Sequence, residues 1–141
     1  MKIAIINGPN LGALGQREPG IYGKETLAEL EQKWISYGSS LGLEVVAFQS
    51  NGEGEILDFI YAASGDADGY IINPGALTHY SYALRDAISS VGKPFLEVHI
   101  SNVDSREEFR RHSVISPVAA GKISGLGTAG YLLALDYYAG K

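Results

Sequence analysis

The sequence predicts an α/β domain in which five parallel strands form a doubly wound, flavodoxin-like sheet between two helical layers, a three-layer α/β/α arrangement. Two observations predict it. Short runs rich in β-branched and aromatic residues alternate with longer segments of helical period. The first four runs are apolar almost without interruption, as strands buried on both faces require. Such βαβ alternation implies a parallel sheet with right-handed crossovers, and with five strands the flavodoxin-like order is favoured.

The elements follow in order. Residues 3–6, 45–48, 70–72 and 95–98 read as strands, and 122–124 as a weaker fifth. Leu27, Leu30, Trp34, Tyr37 and Leu41 recur at three- and four-residue spacing and mark the first long helix. Thr26 with Glu29 forms a capping box before it, and Gly42 supplies a stop after it. Further helices fit 56–63, 82–89 and 130–139. A short helix is expected after Ser105, with Glu108 in the reciprocal capping position. The connection 8–25 departs from the pattern: it is far longer than the roughly 2–6 residues such loops usually take. Its glycines, with Arg17 and Tyr22, make residues 11–24 either a lid over a site or an ordinary surface excursion.

Composition narrows the function. The chain has 141 residues, 16 Asp+Glu against 11 Lys+Arg, a formal charge of -5 and no cysteine. Residues 1–141 fit one domain with a sizeable core. An acidic balance without a basic stripe disfavours general nucleic-acid binding. The lack of cysteine excludes disulfide scaffolds and thiolate metal sites, and it fits the reducing cytoplasm. No apolar stretch approaches the roughly 20 residues of a membrane span.

Ligands of doubly wound sheets bind beyond the carboxyl ends of the strands. There the sequence places Asn7-Gly8-Pro9-Asn10, then Asn73-Pro74-Gly75-Ala76 with His79, then Glu97-Val98-His99-Ile100-Ser101-Asn102. Amides, two histidines and a carboxylate are thus expected around one crevice, with Gly8 and Gly75 admitting a ligand close to the backbone. Asn10 and Asn73 fit turns equally well. Glu97 and His99 share a strand face, because strand side chains alternate, and the pair favours a carboxylate-tuned imidazole over an isolated core histidine.

Familiar motifs fail their context. Gly125-Leu126-Gly127-Thr128-Ala129-Gly130 matches the dinucleotide fingerprint, but only 11 residues follow it, so no second strand or acidic partner exists. Those glycines fit a tight turn and close helix packing instead. Gly38-Ser39-Ser40-Leu41-Gly42 matches a nucleophile elbow, but it closes a helix, the reverse of the order an elbow needs. There is no Walker A sequence and no zinc-spaced histidine pair, so no cofactor and no metal are expected. Asparagines stand where a magnesium-dependent phosphoacceptor needs carboxylates.

The chain resembles the type II 3-dehydroquinate dehydratases. The resemblance rests on Asn7-Gly8-Pro9-Asn10-Leu11, Arg17-Glu18-Pro19 with Tyr22-Gly23, Asn73-Pro74-Gly75-Ala76 with Thr78-His79, and Ala83-Leu84-Arg85-Asp86-Ala87. It continues through Glu97-Val98-His99-Ile100-Ser101-Asn102, Phe109-Arg110, and Gly125-Leu126-Gly127 with Gly130-Tyr131. It implies a flavodoxin-like, metal-free enzyme, typically a dodecamer built from trimers, that dehydrates 3-dehydroquinate to 3-dehydroshikimate in aromatic biosynthesis or quinate breakdown. By position, Tyr22 would remove the proton beside the ketone and Arg17 on the lid would favour its ionised form. Asn10 would hold a water that stabilises the enolate, and Asn73 would order the site. His99 would protonate the departing hydroxyl, oriented by Glu97. Ile100 and Ser101 would bind the carboxylate, and His79 and Arg110 the ring hydroxyls. Gly75 and Ala76 would line the pocket, and Asp86 would reach in from a neighbouring subunit. Gly12, Leu77 and Tyr80 depart from the commonest family residues, and none is assigned chemistry.

The base role has a physical requirement. A tyrosine phenol ordinarily titrates near about 10, and burial opposes its ionisation. A neighbouring guanidinium, worth roughly 1–3 units, must therefore outweigh burial. Two other readings are weighed. An imine mechanism needs a lysine at the site, yet none of Lys2, Lys24, Lys33, Lys93, Lys122 and Lys141 falls at a strand's carboxyl end. A non-catalytic binding module would have no need for Asn10, Arg17, Tyr22 and His99 together.

Overall fold

Lys2–Asn7 (β1), Glu44–Gln49 (β2), Gly69–Asn73 (β3), Phe95–His99 (β4) and Gly121–Ser124 (β5) form one sheet in the order β2-β1-β3-β4-β5. All four pairings are parallel. This is the doubly wound order expected from the sequence. The computed structural model describes residues 1–16 and 18–141, so the expected lid arginine, Arg17, lies outside the described residues.

The strands run slightly beyond the apolar runs that predicted them. Asn7, Gln49, Asn73 and His99 still belong to the ladder, because backbone pairing does not depend on side-chain polarity. Asn7 stands in register with Gln49 on one side and Asn73 on the other, so three amides lie abreast at the carboxyl edge.

Among the described residues, five α-helices complete the fold: Pro19–Tyr22 (α1), Leu27–Ser40 (α2), Glu53–Ala63 (α3), Tyr82–Val91 (α4) and Ala129–Ala139 (α5). Thr26 caps α2 by accepting the Glu29 N–H at 3.2 Å, and Gly42 follows it in the left-handed conformation at φ 79°. α3 begins before the predicted residue because Glu53 and Glu55, though polar, suit a helix N-terminus. The expected helix after Ser105 is absent. Two 3-10 turns, Val103–Ser105 and Glu108–Arg111, occupy that stretch. The Ser105 hydroxyl donates back to the Asn102 carbonyl instead of capping forward.

The strand period of two divides the core. Ile3, Ile5, Ile71, Leu96 and Val98 face Leu30, Trp34, Tyr131 and Leu135 of α2 and α5. Ala4, Ile6, Tyr70, Ile72 and Phe95 face Ile56, Ile60, Leu84 and Ile88 of α3 and α4. The glycine-rich 125–130 segment makes the tight turn and close packing read from its sequence. Gly125 and Gly127 take positive φ, and a side chain on Gly130 would press on Ile123 and Val98 at 3.3 Å. Among the described residues, no helix is long and apolar enough to cross a membrane.

Candidate active site

The cleft opens where the switch in strand order predicts it, beyond the carboxyl ends of β1, β3 and β4. It encloses about 600 Å³ of open space lined by Pro9, Asn10, Leu11, Tyr22, Asn73, Gly75, Ala76, His79, His99, Ile100, Ser101, Val103, Arg106 and Arg110. Ten of the thirteen residues expected at the site therefore line one cleft. Of the other three, Glu97 sits behind the lining, Asp86 lies elsewhere, and Arg17 is outside the described residues.

Glu97 does not face the crevice as the strand-end reading implied. It is completely buried, and its Oε2 accepts Nε2 of His99 at 2.5 Å. Both residues are on the same face of β4, as alternation requires, but only the imidazole reaches the cleft. Burial would push the Glu97 carboxyl up. Hydrogen bonds from His99, Ser116 and Thr78 outweigh that and hold it at about 2. An ionised carboxylate only accepts, so Nε2 carries the proton and Nδ1 remains for a substrate.

Tyr22 comes from α1, inside the long loop. Its hydroxyl receives Nη1 of Arg106 at 2.8 Å, and the guanidinium lies 5.5 Å from its ring centre. The same Nη1 is 3.1 Å from the Ser101 hydroxyl. Arg106 is a cleft residue that sequence reasoning missed. Its signal was its place in the loop after β4, the loop that also supplies Arg110, but nothing local tied it to Tyr22, 84 residues away.

His79 Nδ1 donates to the His112 carbonyl at 2.7 Å, leaving Nε2 as the ring's acceptor. Burial lowers its proton affinity despite that carbonyl, so it stays neutral at physiological pH. Arg110 is steadied by Glu107 at 3.2 Å. Asn73 is held on two sides. Its Nδ2 donates to the Tyr131 hydroxyl at 3.0 Å, and its Oδ1 accepts the Gly75 N–H at 3.2 Å. Tyr131 in turn donates to Asn7 Oδ1 at 2.6 Å, and burial keeps its phenol protonated for that purpose. Asn10 adopts φ 73° and makes no side-chain cap bond to the turn that follows, so its amide is not used as a turn cap.

One further expectation is corrected. Gly8 does not admit a ligand: a side chain there would lie 2.5 Å from the Pro74 carbonyl oxygen, so its bareness serves loop-to-loop packing. Gly75 does line the cleft, and a side chain there would also meet the Pro9 carbonyl at 2.9 Å. Asp86 is exposed on α4 and takes no part in this protomer's cleft.

A general base candidate beside a cation, facing a carboxylate-backed imidazole across a polar cleft on a flavodoxin-like sheet, defines an acid–base enzyme of the doubly wound α/β class. The family model described as Dehydroquinase class II matches residues 1–139, and the chain belongs to that family. It is 56% identical over 135 residues to a 3-dehydroquinate dehydratase of Pelotomaculum thermopropionicum, covering 96% of this chain and 94% of the relative. A Deinococcus radiodurans 3-dehydroquinate dehydratase is 55% identical over 138 residues, covering 97% and 96%. The crystal structure of type II dehydroquinase from Propionibacterium acnes superposes with a TM-score of 0.97 at 46% identity, covering 99% and 97% of the two chains. That from Butyrivibrio crossotus gives 0.95 at 52% identity, covering 97% and 96%.

Proposed function

We propose that the protein dehydrates 3-dehydroquinate to 3-dehydroshikimate, in the shikimate pathway or in quinate breakdown. The carrying observation is the pair of proton-transfer groups in one cleft: Tyr22 held by Arg106, and His99 held by Glu97. Tyr22 takes the proton beside the ketone. Arg106 donates to the Tyr22 hydroxyl at 2.8 Å and brings a positive charge beside it, and the family resemblance gives Arg17 a role there as well. Electrons move into the ketone to form an enolate, which a water held by Asn10 stabilises, with Asn73 ordering that side of the site. His99 then donates a proton to the departing hydroxyl as the enolate collapses in an anti elimination, and water leaves. Ile100 and Ser101 hold the substrate carboxylate, His79 and Arg110 the ring hydroxyls, and Gly75 and Ala76 shape the floor. No lysine is among the described residues of the lining, which disfavours an imine route.

Residues 1–141 act as one catalytic unit, with 11–24 as its lid. A homododecamer of trimers completes the site, Asp86 of the partner subunit reaching each cleft. That reading is supported by the exposure of Asp86 and by Tyr80, Tyr82 and Phe109, which are 60%, 66% and 56% exposed. The absence of cysteine supports a cytoplasmic setting. The test adds 3-dehydroquinate to purified protein, with a chelator present, and follows the ultraviolet absorbance of the conjugated product. A steady rise is expected, and a flat trace refutes the assignment.

A further inference from the structure

Glu97 is held from three parts of the chain. From the turn after β3, Thr78 Oγ1 donates to Oε2 at 2.7 Å. From the segment between Arg110 and β5, Ser116 Oγ donates to Oε1 at 2.6 Å, and Ser113 Oγ reaches both oxygens at 3.0 and 3.2 Å. Ser113 Oγ also accepts the N–H groups of Ile115 and Ser116 at 3.1 and 3.0 Å. It also lies 2.8 Å from Thr78 Oγ1, so the two hydroxyls and the carboxylate form one hydrogen-bonded cluster. None of the three hydroxyls lines the cleft, so none touches a substrate.

We propose that Thr78, Ser113 and Ser116 are positioning residues that set the strength of His99 as a proton donor, acting through Glu97. This rests on the reading of His99 as the acid. A buried carboxylate with no other partner concentrates its charge on the imidazole, and it then either grips the imidazolium or takes its proton outright. Hydroxyl donors spread that charge, as water would at an exposed site. They matter most when the imidazole is neutral, because in the imidazolium state the cation already balances the carboxylate. The hydroxyls thus favour the state left after His99 has given its proton away, which makes it the better acid. His79, Arg110, Arg106 and Tyr22 share the cleft with His99, and none of them touches the carboxylate. The charges of Glu97 and His99 both reach the cleft residue His79, so the readout has to be taken on the His99 ring itself.

The test compares wild type with Ser116→Ala, Ser116→Thr and Thr78→Val, the last nearly isosteric and lacking only the hydroxyl. It measures kcat and KM for 3-dehydroquinate against pH, and follows the His99 ring by NMR titration. For Ser116→Ala the plateau kcat should fall about tenfold with KM little changed. The alkaline limb and the His99 titration should rise together by roughly 0.5–1 unit, as expected for one lost charge-assisted hydrogen bond. Ser116→Thr should restore both. If Ser116→Ala fails to fold, Thr78→Val carries the same expectation. A lower kcat with an unmoved His99 titration in both variants overturns the proposal, since the hydroxyls would then be only structural. Failure of the acid reading appears separately, as unchanged turnover in His99→Gln, because the NMR titration does not depend on catalysis.

Discussion

At the scale of single residues, Tyr22 and Arg106 make the sharpest pair. Tyr22→Phe keeps the ring and loses only the hydroxyl. It should reduce kcat by at least about a hundredfold, in line with the 10²–10⁴ a general base supplies, while circular dichroism and product affinity stay unchanged. Near-normal turnover would remove Tyr22 from the base role. Arg106→Ala should cost roughly ten- to hundredfold in kcat, the loss expected when a charge-assisted hydrogen bond of about 1.5–3 kcal/mol is deleted. Glu97 makes a different prediction. Its folded value of about 2 lies below the ordinary 4.5, so its ionisation stabilises the fold above about pH 4.5, and that contribution disappears as pH falls toward 2. The shift corresponds to roughly 3 kcal/mol for a group shielded from solvent. Denaturant titrations between about pH 6 and pH 3 should show the loss, and Glu97→Gln should flatten it; equal slopes in the two proteins would show that Glu97 is not the group responsible.

At the scale of elements, the site depends on two loops that touch through their backbones. The turns after β1 and β3 meet where Gly8 faces Pro74 and Gly75 faces Pro9. A methyl group at Gly8 would have to displace a carbonyl 2.5 Å away, and backbone cannot rotate aside as a side chain does. Gly8→Ala should therefore lower stability by about 1–3 kcal/mol and depress kcat together, because Asn10 and Asn73 move apart. A thermal melt and a rate at one pH decide it. Thr26→Ala is the control: it removes the α2 cap at a cost of about 1 kcal/mol and should leave kcat untouched.

At the scale of the whole molecule, the cleft is completed by a neighbour in the proposed assembly. Tyr82 and Asp86 are one helical turn apart on α4, so an aromatic side chain and a carboxylate share one exposed face. Tyr22→Phe and Asp86→Asn should each be nearly inactive alone. Unfolded together and refolded as a mixture, they should regain activity, since some clefts then pair an intact Tyr22 with Asp86 of the partner subunit. A mixture no more active than its parts would show that each cleft works within one chain.

The strands, the four long helices and the place of the cleft were legible in the sequence because they follow from short-range periodicity and from a topological rule. The Glu97–His99 pair was legible for the same reason, two residues on one strand face. The contacts that set the chemistry were not. Arg106 on Tyr22, Tyr131 bridging Asn7 and Asn73, and Ser113 and Ser116 on Glu97 join residues 16 to 124 positions apart. No local pattern encodes such partners, since each depends on where a loop lands once the sheet has formed. Gly8 and Gly75 show the same division. Their permissive backbone was visible in the sequence, but only the folded chain decides whether a ligand or another loop occupies the space beside them.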